Sequence, residues 1–318
     1  MLARLQQLIT LSLFVAALVW LVWCVQGGQV AIGIAGASLV VFAYACVLAV
    51  EFGLLWFVHG EDPAPRATPL ELLQAWWGEV LMGPLVFYWR QPFRAGAFSD
   101  VLSSELRGKR GVLLVHGFVC NRGFWNPWLT QLRAASIPHT AINLEPVFGS
   151  IDSYVQKVEQ GICTLEAITG LPPVVVAHSM GGLAVRAWMR DMRAADARVH
   201  RVITIGSPHH GTWLGRFAHT PNTRQMALNS PWIRSLAAQE PAERYQYFTC
   251  FYSNCDNIAF PPSSATLPGA DNRHLAGWSH VHLAFHPVVF DELMRWLEPL
   301  PAAPRAASDP VRCFRKAP

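Results

Sequence analysis

The sequence predicts an α/β architecture, a mostly parallel sheet flanked by helices, preceded by a transmembrane helical hairpin. Three observations carry this expectation. Residues 1–60 hold two long apolar stretches almost free of charge. From Gly111 onward, short β-branched runs alternate with longer helical ones. At 174–185, "VVVAHSMGGLAV" drives a buried strand into one serine and leaves it as a helix.

A chain of 318 residues holds one large domain or two ordinary ones. The formal charge is +4 and the 25 basic residues are scattered, so nucleic acid is not expected as a partner. Residues 8–25 carry no charge, and as a helix they reach ~27 Å, close to the ~30 Å of bilayer hydrocarbon. A second uncharged stretch runs over 30–50 and stays apolar to Val58. A cleaved signal needs small residues before its cut, yet Trp20, Trp23 and Cys24 stand there. The other reading of the second stretch is a buried core helix. "QGGQ" at 26–29 is a tight connection, so the two stretches predict a hairpin over residues 1–60. The connector has no Lys or Arg, whereas Arg4 precedes the first stretch and Arg66, Arg90 and Arg94 follow the second. Positive charge stays inside, which places the rest of the chain in the cytoplasm.

Residues 61–110 follow as a linker, "EDPAPRATP" at 61–69, and a Trp-rich amphipathic helix over 70–89. That helix suits either the bilayer interface or the surface of the following domain. Residues 111–300 form the predicted catalytic domain, with strands at 112–115, 140–144, 174–177, 199–205, 247–253 and 272–277 and helices at 122–135, 151–169, 180–192 and 286–297. Strands alternating with helices give a parallel sheet whose chemistry lies at the strands' C-terminal ends. Residues 208–244 break the rhythm and read as a lid or as extra helices completing the core. Residues 301–318 are expected to be a flexible tail. The seven cysteines lack Cys-x-x-Cys spacing and are expected as free thiols, Cys250 and Cys255 being the pair that could join in an exported domain.

A strand ending at Ala177, Ser179, and a helix from Met180 describe a nucleophile elbow. The turn lifts the Ser179 hydroxyl above the sheet edge, and Gly181 and Gly182 let helix and strand approach closely. A serine is weak alone and needs a base oriented by a third group. His280 follows the last strand at the edge where Ser179 emerges, with His282 as its main rival and His286 opening the final helix. A metal-binding role for these three histidines is not expected, because no carboxylate accompanies them. Asp256 follows the strand near 247–253 and so sits on the same edge, whereas Asp271 precedes a strand and belongs to the opposite one. The expected oxyanion donors are the backbone N–H of Met180 and that of Phe118, after "VLLVHG". His116 and His178 read as scaffolding.

"LLVHGF" at 113–118, "AHSMGG" at 177–182, "IGSPHHGT" at 205–212, "YSNCDNIAFP" at 252–261 and "GWSH" at 277–280 resemble the bacterial triacylglycerol lipases of the α/β-hydrolase superfamily. Ala177, where the usual pattern has glycine, is similar to the small Bacillus lipases. The resemblance covers residues 111–297 and implies an α/β-hydrolase fold with carboxylic-ester hydrolysis through an acyl-enzyme. His209 and His210 match the pattern without a role that chemistry supplies. The hairpin departs from secreted relatives and points to a bacterial inner membrane, with membrane lipids or other acyl esters as substrate. No paired aspartates form a calcium site, so neither metal nor cofactor is expected. The rival functions are an acyltransferase or thioesterase using the same acyl-enzyme, and a catalytically inactive membrane interaction module.

Overall fold

The computed structural model describes residues 1–298, so the tail expected at 301–318 lies outside the described residues. The chain opens with α1 (Leu2–Gln26) and α2 (Val30–Val58). Between them Gly28 takes a φ of +73°, a backbone turn that only glycine adopts without strain. α2 then returns along α1, with the Trp20 indole N–H donating to the Ile32 carbonyl (3.3 Å). Both helices are long and apolar enough to cross a membrane, with mean hydropathy 2.5 and 2.3 over their most apolar windows. Both lie mostly unburied in the structure, with 17% and 6% of those windows buried.

A capping box starts α3 (Pro69–Pro84): Thr68 Oγ1 accepts from Glu71 N–H (3.2 Å) and the Glu71 carboxylate accepts from Thr68 N–H (2.7 Å). Pro69 at the first helical position adds a preset φ. The helix continues through a π-helical turn (Leu85–Arg90) into α4 (Gln91–Phe93). One face is buried at Ala75, Glu79, Val80 and Val86. The other exposes Leu70, Leu73, Trp77, Leu81, Leu85 and Trp89, an apolar stripe at helical spacing. Trp76 Nε1 donates to the Ala45 carbonyl (3.0 Å) and Tyr44 Oη to the Val80 carbonyl (2.7 Å), fastening α3 to α2.

The sheet comprises β1 (Val112–Val115), β2 (His139–Ile142), β3 (Val174–His178), β4 (Arg201–Ile205), β5 (Phe248–Tyr252) and β6 (Asp271–His274). They lie in the order β2-β1-β3-β4-β5-β6, and every pairing is parallel. Its helices are α5 (Asn126–Ala134), α6 (Val155–Thr169), α7 (Met180–Asp191), α8 (Pro221–Gln225), α9 (Pro231–Ala238), α10 (His280–Leu283) and α11 (Pro287–Leu297). Alternate strand residues feed two cores, as a sheet covered on both faces requires. Leu113, Val115, Val175 and Ala177 pack beneath α6 and α7, and Val112, Leu114, Val174 and Val176 pack beneath α5 and α11. A third cluster, Phe52 and Leu55 of α2 with Ala75, Cys255 and Phe260, seats the hairpin and α3 on the sheet's C-terminal edge.

β6 ends earlier than the sequence suggests. The Gly277 and Trp278 N–H groups donate to Asn254 Oδ1 (2.9 Å) and Ser253 Oγ (3.1 Å), so side chains of the preceding loop take over from the strand ladder. Residues 208–244 fold onto the body, burying Met226, Ile233 and Leu236. Cys24, Cys46, Cys120, Cys250 and Cys255 carry free thiols.

Candidate active site

The chain leaves β1 toward β2 on one side and β3 toward β4 on the other, so the sheet's strand order reverses between β1 and β3. Such a switch point opens a crevice beyond the strands' C-terminal ends. Ser179 stands in it, between the end of β3 and the start of α7, with φ +55° and ψ −128°. A non-glycine residue held at positive φ is strained and needs its surroundings to hold it. The Ser179 N–H donating to the Ile205 carbonyl (2.9 Å) supplies part of that hold.

His280 opens α10, and its Nδ1 is hydrogen-bonded to both Asp256 oxygens (2.8 and 2.9 Å). Asp256 is buried in the loop after β5, and its Oδ1 also accepts from the N–H groups of Ile258 (3.0 Å) and Ala259 (2.8 Å). These two bonds hold the carboxylate independently of the imidazole. Burial pulls the His280 imidazolium down, but the bonded Asp256 carboxylate, aided by Glu79 and Glu51, outweighs it and raises the pKa above the ordinary histidine value. With Nδ1 engaged, Nε2 is the nitrogen available to act as base. Ser179 and His280 line the same cavity, of about 270 Å³. No hydrogen bond joins their side chains among the described residues, the looser arrangement common before a substrate closes a site.

The rival residues sit elsewhere. His282 packs on Trp278, with ring centroids 4.3 Å apart. His286 caps α11, its Nδ1 accepting from Val288 N–H (3.1 Å). Asp271 begins β6 at the far edge and pairs with Arg273 (2.7 Å). Gly117 and Phe118 line the cavity after β1, and Met180 directly follows Ser179. His116 shapes that loop: Nδ1 bonds the Gly117 carbonyl (2.9 Å) while Nε2 accepts from Leu144 N–H (3.1 Å). Burial lowers its pKa to about 4, so it is neutral. His178, likewise held neutral by burial, bonds the His280 carbonyl through Nε2 (3.1 Å).

The sequence profile of the Alpha/beta hydrolase family matches residues 112–314. The chain belongs to this family. Among solved structures, the mature lipase BlEst2 of Bacillus licheniformis is similar at 18% identity, covering 60% of this chain and 92% of that one with a TM-score of 0.53. Lipase B of Aspergillus fumigatus is similar at 23% identity and a TM-score of 0.53, covering 61% of this chain and 53% of that one, so this hydrolase spans about half of that protein. At these identities the likeness shows the fold. No curated protein matches the chain.

Several residues of this alpha/beta hydrolase's site escape sequence reasoning. Gly206 (φ +54°) ends β4 beside Asp256 and His280, where a Cβ would stand 2.6 Å from Asp256 Oδ2 and 3.1 Å from His280 Nδ1. It lies within "IGSPHHGT", the one signal that could have marked it. His209 of the same segment is buried and neutral, its carbonyl accepting from Arg186 (2.8 Å) and its Nε2 bonding Thr204 Oγ1 (3.1 Å). The His210 N–H donates to the Ser264 carbonyl (2.9 Å). The cavity also takes in Leu48 and Glu51 of α2, Glu79 of α3 and Phe87, all outside the family match, and none of its lining comes from 208–244 among the described residues. Burial pushes the Glu79 carboxyl up, against Ser279, the nearby His280 and two backbone N–H groups that pull it down.

Proposed function

We propose that the chain is a membrane-tethered serine hydrolase that cleaves carboxylic esters, of acyl lipids in particular, through an acyl-enzyme. Ser179 Oγ attacks the ester carbonyl as His280 Nε2 takes its proton, Asp256 stabilises the imidazolium, and the N–H groups of Phe118 and Met180 receive the oxyanion. His280 then returns the proton to the leaving alcohol, and water repeats the sequence to release the acid. The observation that carries the reading is the Asp256–His280 pair at 2.8 Å, its His280 lining a cavity shared with a serine at positive φ. The two solved relatives are themselves named lipases. The unburied apolar surfaces of α1 and α2, with the stripe along α3, support a bilayer as the tether and as the source of substrate. A tethered site meets such substrate at high effective concentration.

Two measurements test this. Hydrolysis of p-nitrophenyl esters of increasing chain length, with and without vesicles, is expected to favour long chains presented in the bilayer. Preference for short soluble esters, unaffected by lipid, removes the lipid part of the reading, and no hydrolysis of any ester by the folded protein overturns the rest. The charge bias around the hairpin supports a catalytic body on the cytoplasmic side of a bacterial inner membrane. A C-terminal reporter active only outside the cytoplasm is expected to stay silent, and its activity reverses the assignment.

A further inference from the structure

Asp256 holds the His280 ring, but the backbone that carries the ring is held from elsewhere. The His280 N–H donates to Asn257 Oδ1 (3.2 Å), and Asn257 Nδ2 donates in turn to Glu51 Oε2 of α2 (2.7 Å). The next two N–H groups, of Val281 and His282, donate to Glu79 Oε1 and Oε2 of α3 (3.2 and 3.3 Å). α3 approaches this closely because residue 78 is glycine, where a Cβ would stand 2.5 Å from His282 Nδ1. Asn257, Glu79 and His280 are 1%, 4% and 5% exposed. Buried N–H groups that lose such acceptors are left unsatisfied and drive the segment to move. Both carboxylates are already engaged by these donors, so they are not a free site for a cation.

We infer that Glu51 and Glu79 are positioning residues for His280, which makes the helices of residues 30–84 part of the catalytic apparatus as well as a tether. The inference rests on His280 acting as the base of the hydrolase proposed above. The titratable groups facing the ring are Asp256, Glu51, Glu79 and the neutral His178, whose ring centroid lies 4.6 Å away. Removing one carboxylate therefore lowers the His280 pKa as well as loosening its seat.

The test uses the full-length protein in nanodiscs. Glu79→Gln cannot accept both N–H groups and is expected to lower kcat roughly 10- to 100-fold with KM unchanged, and to move the acid limb of the kcat/KM profile to lower pH. Glu79→Asp keeps the charge but is too short to reach both donors, so it is expected to restore the limb and not kcat. A folded Glu79→Gln protein with wild-type kcat and an unmoved limb overturns the inference. Should that variant fail to fold, Glu51→Leu removes the acceptor that Asn257 Nδ2 has among the described residues and is expected to lower kcat with KM unchanged, a folded Glu51→Leu protein with wild-type kcat being the overturning result. Wild-type protein that hydrolyses no ester defeats the underlying reading instead, a result distinct from active variants.

Discussion

Replacing Ser179 with alanine is expected to abolish ester hydrolysis, a loss of roughly 10⁶-fold in kcat, and to abolish labelling by a fluorophosphonate probe. The size of the effect follows because no other hydroxyl lines the cavity among the described residues. Cys120 also lines it, but burial pushes that thiol up to about 12, leaving no thiolate near neutral pH. The variant keeps the β3–α7 turn, so its melting temperature is expected to stay close to that of wild type. Equal labelling of wild type and Ser179→Ala would sink the serine mechanism, and absence of labelling in both would favour an inactive interaction module.

Asp256→Asn is expected to lower kcat by ~10⁴-fold, about 5 kcal/mol of transition-state stabilisation, with the fold intact. The Asn oxygen can still accept from Ile258 and Ala259, so the loop stays in place. The amide nitrogen, however, then donates toward His280 Nδ1 and selects the tautomer whose Nε2 carries the proton and cannot act as base. Loss of the carboxylate also removes the strongest influence raising the His280 pKa, so the acid limb moves to lower pH. Activity within tenfold of wild type would show that another group orients the imidazole.

The parts of the molecule fixed by local pattern are legible in the sequence. A parallel sheet buries both faces of its strands, so runs such as Val112–Val115 and Val174–His178 stand out as unbroken apolar β-branched segments. The edge argument separates Asp256 from Asp271, and the structure brings Asp256 to His280 while leaving Asp271 at the far end of β6. Strand ends are less legible, because β6 stops where side chains of residues 253 and 254 satisfy its continuation. Glu51 and Glu79 could not be read at all. They meet their partners across sequence separations of 206 and 202 residues, and no local rule marks a glutamate in an apolar helix as the support of a distant histidine. Gly206 is hidden for a related reason, since its need for positive φ depends on which side chains crowd the end of β4.

The apolar stripe from Leu70 to Trp89 continues to Phe93, beside the two helices of the hairpin. In the proposed orientation the stripe would give the catalytic body a surface contact beside the hairpin, which limits its tilt. The mouth of the cavity would then keep a narrow range of heights relative to the headgroups. Such an enzyme would sort esters by how deep their carbonyls lie before it sorts them by the shape of what is attached.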